Sequence, residues 1–141
     1  MEPIVAETAT LTLEGARRAL EAAVREAQRI GVAVCVSVAD QAGHLLAFGR
    51  MDGAPLLSVS LSQDKAYTVA AFAGLPTHEW FDMIKDEPPL LHGIVKTNRL
   101  TVFGGGIPVR VDGKLVGAVG VSGGSAEQDR SVAEAGAAAV A

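Results

Sequence analysis

The chain of 141 residues lacks several features that whole classes of function require. Aromatic residues make up only 4% of it, so few side chains are available for stacking on nucleic-acid bases. The formal net charge is −4, and no long basic run could follow a phosphate backbone. The apolar runs are far shorter than the roughly 20 residues that a membrane-spanning helix needs. We therefore expect neither a nucleic-acid partner nor a membrane span.

Cysteine is almost absent as well. The single cysteine, Cys35, cannot form a disulfide within the chain, and it lies in the apolar run GVAVCVSVA, where a small buried side chain is expected. Residues 1–20 do not show the basic region followed by an apolar stretch that is typical of a signal peptide. Both observations predict a reduced, cytoplasmic setting.

What the chain does have is aliphatic residues, since 49% of it is hydrophobic. This is enough for one core of Val, Leu, Ile and Ala, and the length predicts a single domain over residues 1–141. Apolar residues recur at spacings of three and four in three segments, which predicts long helices. These helices cover residues 12–30, 57–73 and 126–140, and a short one follows Thr77.

Alternating β-branched residues predict the strands. The segments are residues 32–40, 44–50, 101–103, 107–111 and 114–121. Asp112-Gly113 is a strong two-residue hairpin turn, whereas residues 88–100 begin with Pro88 and Pro89 and are expected to be an irregular surface excursion. Strands joined by hairpins, with helices between them and at both ends, predict an α+β fold. We expect a single central antiparallel sheet of about five strands, flanked by helices.

The stretch VSGGSAEQD is the first candidate site, because two glycines and a serine stand where a strand passes into a helix. Unpaired amides at a helix N-terminus can bind an anion. Ser125 is equally a normal N-cap, with Gln128 completing a capping box. Both readings stay open at this point. The ligand reading predicts that the amides of residues 123–125 face a pocket shared with Lys65.

Charged residues near apolar segments form the second candidate site. Lys65 could bind a carboxylate or act as an acid or base, Arg50 could orient a substrate, and Asp129 could tune Lys65 by its charge. The alternative is structural, with Lys65 paired to a carboxylate such as Asp129 or Asp52. No GxSxG motif is present, and Cys35 has no adjacent base.

The three histidines, His44, His78 and His92, show no spacing that is typical of a metal site, so no metal is predicted. A structural role is the default for each of them.

Taken together, these motifs resemble the GlcG/HbpS-like family, also called DUF336. The resemblance covers about residues 32–137 and rests on a series of short patterns. They are D-x-x-G from Asp40, R-M-D-G-A from Arg50, K-A-x-T from Lys65, G-G-x-P-V from Gly105, V-G-A-x-G-V-S-G-G from Val116, and the Gln128-Asp129 pair.

The resemblance implies a profilin-like domain that assembles into dimers or larger homo-oligomers, and some members of the family bind haem. A histidine of the first helix serves the family's haem site, but residues 12–30 contain none. The iron ligand would then be another histidine, of which His92 is the first to test, or an oxygen ligand such as a threonine.

Two functions are therefore expected, and a structural or interaction subunit, whose oligomer would itself be the product, is the default if neither holds. The first is a small-molecule-binding domain that takes haem or a small carboxylate near Lys65 and the residues Ser122, Gly123, Gly124 and Ser125. The alternative is a lyase or isomerase type of enzyme that acts on a small organic acid in a catabolic pathway, with Lys65, Arg50 and Asp129 as the catalytic residues.

Overall fold

One antiparallel sheet of four strands organises the chain, in the order β2-β1-β4-β3. The structure is a computed structural model that describes residues 1–141. Its helices and strands follow one another as α1 (Leu13–Ile30), β1 (Cys35–Asp40), β2 (Leu45–Arg50), α2 (Leu57–Ala71), a 3-10 turn (Thr77–Glu79), α3 (Trp80–Ile84), α4 (Pro88–Ile94), β3 (Gly106–Val111), β4 (Lys114–Ser122) and α5 (Ala126–Ala138).

Local sequence signals set the ends of the long elements. The Thr12 side chain accepts a hydrogen bond from the Gly15 amide and caps α1, which ends at Gly31 in the left-handed conformation, with φ of 78°. Asp112 and Gly113 both have positive φ and form the tight turn between β3 and β4. The first helix and the last hairpin are therefore confirmed close to their predicted bounds.

The two faces of the sheet differ in the size of their side chains. Strands β1 and β4 are paired so that Val36 lies beside Val121 and Val38 beside Val119. These valines form the main core with the alanines of α1 and with Val132 of α5. The opposite face carries small residues, and α2 packs against it. Since the residues of β1 from Cys35 to Ala39 are all buried, β1 is covered on both sides.

Small residues on the second face let α2 come very close to the sheet. Ser37 of β1 and Ser62 of α2 share a hydrogen bond of 2.8 Å between their hydroxyl oxygens. A Cβ added to Gly120 would collide with the Ser62 carbonyl oxygen and would lie 2.6 Å from the Ala66 amide nitrogen. Glycine is therefore required at position 120, because any side chain would push α2 off the sheet.

One predicted strand is absent, and residues 88–100, which lie at the surface as predicted, are irregular only from residue 95 onward. Residues 101–103 do not form a strand, so the sheet has four strands and not about five. The Thr101 amide donates instead to the Thr68 hydroxyl of α2, at 3.0 Å. Residues 88–94 form the short helix α4, because Pro88 and Pro89 occupy its first turn, where no amide donor is needed.

None of the helices combines the length and the apolar character that crossing a bilayer requires.

The close packing at Gly120 makes a direct prediction about stability. Gly120→Ala should lower the free energy of unfolding by at least about 1 kcal/mol, because the new methyl group overlaps the backbone of α2. Chemical denaturation measures the effect. Gly93→Ala is the matched control, since an added methyl group there meets nothing within 4 Å, and we expect it to be neutral or slightly stabilising. Equal stability of the two variants would contradict this account of the α2 face.

Candidate functional site

Lys65 is the most deeply buried charged residue of the candidate set, with 1% of it exposed. It projects from α2 to the carboxyl end of β4. Its ammonium donates hydrogen bonds to the Val121 carbonyl oxygen, at 2.8 Å, and to Asp129 Oδ2, at 3.2 Å. The nitrogen also lies 5.0 Å from the centre of the Phe103 ring, within the range of a cation–π interaction. The ammonium therefore already has partners within the chain.

Asp129 completes this arrangement from the first turn of α5. It is 3% exposed, and while Oδ2 accepts from Lys65, Oδ1 accepts a hydrogen bond of 2.8 Å from the Gly124 amide. One carboxylate thus joins α2, the end of β4 and the start of α5. This result agrees with the structural alternative for Lys65, in which Asp129 is its partner.

Burial shifts the pKa of both members of the pair toward the neutral form. It lowers the pKa of Lys65, and the attraction of the Asp129 carboxylate opposes that shift. It raises the pKa of Asp129, against the opposing effects of the Lys65 ammonium and the amides of Gly124 and Gly123. Each charge is costly to bury alone, so each residue depends on the other.

The glycine run of residues 104–106 covers the ammonium. Gly105 has φ of 129°, and a Cβ at this position would collide with the Val121 carbonyl oxygen and would lie 2.8 Å from Lys65 Nζ. No other residue fits both this conformation and this space. The run therefore lets the backbone approach Lys65 closely, and it closes the site on that side.

The amides at the start of α5 are largely used within the chain. The Gly124 amide donates to Asp129, and the Ser125 amide donates to Gln128 Oε1 at 3.0 Å. The Ser125 hydroxyl accepts in turn from the Gln128 amide, which completes a capping box. The prediction that these amides face an open pocket shared with Lys65 is therefore wrong for Gly124 and Ser125. Any ligand contact by residues 122–125 stays a prediction.

Ser122 and Arg50 lie in one row across the sheet, since each is paired with Cys35 of the strand between them. The Ser122 hydroxyl is buried and donates to the Ser58 hydroxyl, at 3.3 Å. The Arg50 side chain donates to the Ala54 carbonyl oxygen and borders a separate cleft of about 440 Å³, which neither Lys65 nor Asp129 lines. Arg50 is thus not brought to the ammonium of Lys65.

His92 lies apart from this cluster. It is exposed on α4, a helix that contacts α3. The structure thus brings together Lys65, Asp129, Ser122 and the turn at 123–125, whereas Arg50 and His92 are at other places on the surface.

Sequence reasoning missed the groups that complete the Lys65 cluster. They are the Val121 carbonyl oxygen, the Phe103 ring and the Ser58 hydroxyl. A main-chain carbonyl has no signature in a sequence. The glycine run next to Phe103 was the available signal, because three consecutive glycines indicate that something approaches the backbone closely.

Comparisons with known proteins place the chain in a family. The family model described as "Haem degrading protein HbpS-like" matches residues 11–138. The chain belongs to the HbpS-like family. It is 43% identical over 130 residues to an uncharacterized 15.0 kDa protein of the dhaT-dhaS intergenic region of Citrobacter freundii, covering 91% of this chain and 90% of that protein. It is 40% identical over 112 residues to protein GlcG of Escherichia coli, covering 79% and 81%.

Solved structures of similar proteins share the fold. The Klebsiella pneumoniae protein ORFY, of family DUF336, superposes with a TM-score of 0.92 at 35% identity, over 99% of this chain and 97% of that one. A structure described as a PduOC:heme complex superposes with a TM-score of 0.83 at 36% identity, over 92% and 94%. The predicted family and the α+β class are therefore confirmed.

The mutual dependence of Lys65 and Asp129 can be tested by a double-mutant cycle. Lys65→Met should lower the free energy of unfolding by about 3–5 kcal/mol, because it leaves the Asp129 carboxylate buried without a counter-charge. Adding Asp129→Asn should recover part of this loss. The free energy of unfolding lost by the double variant should be smaller, by at least about 1 kcal/mol, than the sum of the losses in the two single variants.

Urea denaturation of the four proteins measures the cycle. Lys96→Met is the control, since Lys96 is exposed and its replacement should change stability by less than about 0.5 kcal/mol. Additive single effects would show that the pair does not act as a unit.

Proposed function

We propose that this chain is a small-molecule-binding domain and that its ligand is haem. The observation that carries the proposal is the similarity over most of the chain to the solved PduOC:heme complex. The family description, which refers to haem, supports it. The polypeptide must then offer an axial ligand for the iron and apolar contacts for the porphyrin.

The histidines that could bind the iron differ in the burial and the contacts of their side chains. Helix α1 contains no histidine. The His44 ring nitrogen Nδ1 is 3.3 Å from Asp40 Oδ2, and His78 has a largely buried side chain next to Glu79. His92 is exposed and makes none of the side-chain hydrogen bonds or ion pairs of the structure. His92 therefore fits the role of an iron ligand best.

The surroundings of His92 suit a ligand bound at the surface. Val95, one helical turn further along, is 46% exposed and offers apolar contact, while Lys96 is exposed and carries the charge that a propionate would pair with. When bound, haem supplies a redox-active iron, and the protein contributes its binding and orientation. Homo-oligomer formation and a cytoplasmic location belong to the same proposal and rest on the family resemblance and the cysteine content.

In this proposal the Lys65 cluster supports the fold and does not contact the iron. Lys65 and Asp129 hold the start of α5 against β4. Two further contacts fix the neighbouring residues, since the Ser122 hydroxyl donates to Ser58 and the Ser125 hydroxyl accepts from the Gln128 amide. Two of the three ammonium hydrogens of Lys65 already have acceptors, and because Lys65 is buried, a propionate could reach the third only if the site opened.

A second function has one observation in its favour. Burial lowers the pKa of Lys65, and a lysine with a lowered pKa can exchange protons more readily near neutral pH. This is the property that a lyase or isomerase acting on a small organic acid would use, with Asp129 tuning Lys65. Substrate access would require the glycine run at 104–106 to move.

Haem binding is tested by titration of the purified protein with haemin while the Soret band is followed. We expect a saturable spectral change. His92→Ala should weaken binding by at least roughly tenfold, since loss of even a supporting partner of a metal ligand costs about this much. His44→Ala is the matched control, because His44 is also exposed and should not matter.

Absence of a saturable change in the unaltered protein would contradict the proposed function. A saturable change that His92→Ala leaves intact would keep haem as the ligand and remove His92 as its iron ligand.

The enzyme alternative is tested by turnover of a panel of small organic acids. Because Lys65 is 1% exposed, we expect no turnover that depends on it. The assay compares the unaltered protein with Lys65→Met and with the surface control Lys96→Met, at a temperature where circular dichroism shows all three folded. Turnover that only Lys65→Met abolishes would make Lys65 catalytic and would overturn our assignment of a structural role.

A further inference from the structure

The sheet has two edge strands, β3 and β2, and the outer side of β3 is protected. Gly105 accepts a hydrogen bond from β4, so alternation along β3 points the backbones of Gly106 and Pro108 outward. The Gly106 amide donates to the Thr77 hydroxyl, at 2.8 Å, and a proline has no amide hydrogen. Neither of these outward positions can therefore donate to a further strand, which is a common way to protect a sheet edge.

The other edge strand, β2, has no such protection. The Met51 amide donates to the Val34 carbonyl oxygen, at 3.0 Å, which fixes the phase of the ladder between β1 and β2. Alternation from this bond points the backbones of Phe48 and Arg50 away from β1. The amides and carbonyl oxygens of these two residues have no hydrogen-bond partner within the chain. Strand β2 thus presents two donors and two acceptors that another strand can use.

The side chains of this segment leave the edge accessible. Gly49 faces helix α1, since a Cβ at this position would lie 3.3 Å from the Leu20 side chain. Because side chains alternate along a strand, Phe48 and Arg50 point to the opposite face of the sheet. Neither belongs to a core cluster, and Arg50 is exposed. A strand that pairs with β2 would therefore meet side chains that the core does not need.

We infer that β2 pairs antiparallel with β2 of a second copy of this chain, about a two-fold axis at Gly49. In this register Phe48 of each copy lies opposite Arg50 of the other, and each such pair exchanges two hydrogen bonds. All the outward groups of both residues are then satisfied. Leu46 is the extra residue of an irregularity in the pairing with β1, so the new ladder ends before it.

The charges also favour a second copy as the partner. Arg50 of one copy lies beside the Phe48 ring of the other, which allows a cation–π contact on each side of the axis. No two like charges lie directly opposite each other, an arrangement that would destabilise a pair of strands. The strand is thus complementary to itself, as a two-fold interface requires.

This inference rests on the homo-oligomer part of the proposed function, for which it names the surface. It is independent of haem, since His92 lies on α4 and not on β2. The experiments use haem-free protein, so their failure would leave the result of the haemin titration unaffected.

Analytical ultracentrifugation tests the pairing. The unaltered protein should be a dimer or a larger assembly with an even number of copies, because each β2 pairs once. Phe48→Lys should halve this mass, since it places a positive charge opposite Arg50 on each side of the axis. Val111→Lys is the matched control, because Val111 is a partly exposed residue of the other edge strand, and its mass should not change. Circular dichroism checks that both variants are folded.

Hydrogen exchange locates the contact by a second measurement. The Arg50 amide has no partner in a single chain, so it should exchange at least about tenfold more slowly in the assembled unaltered protein than in Phe48→Lys. The Gly49 amide is the internal control, since it points to β1 and should be protected equally in both proteins.

Three outcomes would overturn the inference. A monomer at every concentration would leave the β2 edge to water or to a different partner. An unchanged mass of folded Phe48→Lys, or an Arg50 amide that exchanges as fast in the assembly as in the variant, would show that copies meet through another surface.

Discussion

The buried ion pair of Lys65 and Asp129 is the interaction on which the rest of the structure depends. It joins helix α2, on one side of the sheet, to the start of α5, whose later residues pack on the other side. The pair also holds the end of β4 through the Val121 carbonyl and the Gly124 amide. Because two desolvated charges are tolerated only when their geometry is good, this corner of the fold has little freedom to vary.

This constraint explains why glycine is needed at positions 120 and 105. Helix α2 must lie close to the sheet for Lys65 to reach the end of β4, and Gly120 leaves the space for that approach. Gly105 lets the neighbouring backbone pass directly over the ammonium. The family patterns around Lys65, Gly105 and Ser122 are distant in the sequence, but in the fold their residues pack together at one end of β4.

Much of the fold could be predicted from local patterns. Helix α1 has both an apolar period and clear caps, and the turn at Asp112 and Gly113 has few other conformations open to it. Residues 101–103 were mistaken for a strand because Thr, Val and Phe favour strands. Instead of pairing with a strand, the Thr101 amide donates a long-range hydrogen bond to the Thr68 hydroxyl. Local propensity carries no information about such a contact.

The candidate site was predicted less completely, for a physical reason. The sequence indicates that the SGGS turn can bind an anion or cap its own helix, and both uses need the same amides. The choice depends on Asp129 and Gln128, whose side chains turn back onto Gly124 and Ser125. Similarly, Lys65 could have faced a ligand or a carboxylate, and only the packing of α5 against β4 shows that Asp129 is its partner.

In this account the polar groups of the Lys65 corner serve the fold, and His92, the proposed iron ligand, lies apart from them on the exposed face of α4. The most direct test of this view is the hydrogen exchange of the Gly124 amide in the protein without added ligand. If the Asp129 carboxylate holds this amide, it should exchange slowly, together with the backbone amides of α5. Exchange of the Gly124 amide at the rate of an unprotected chain would show that the turn is open, and would contradict the account.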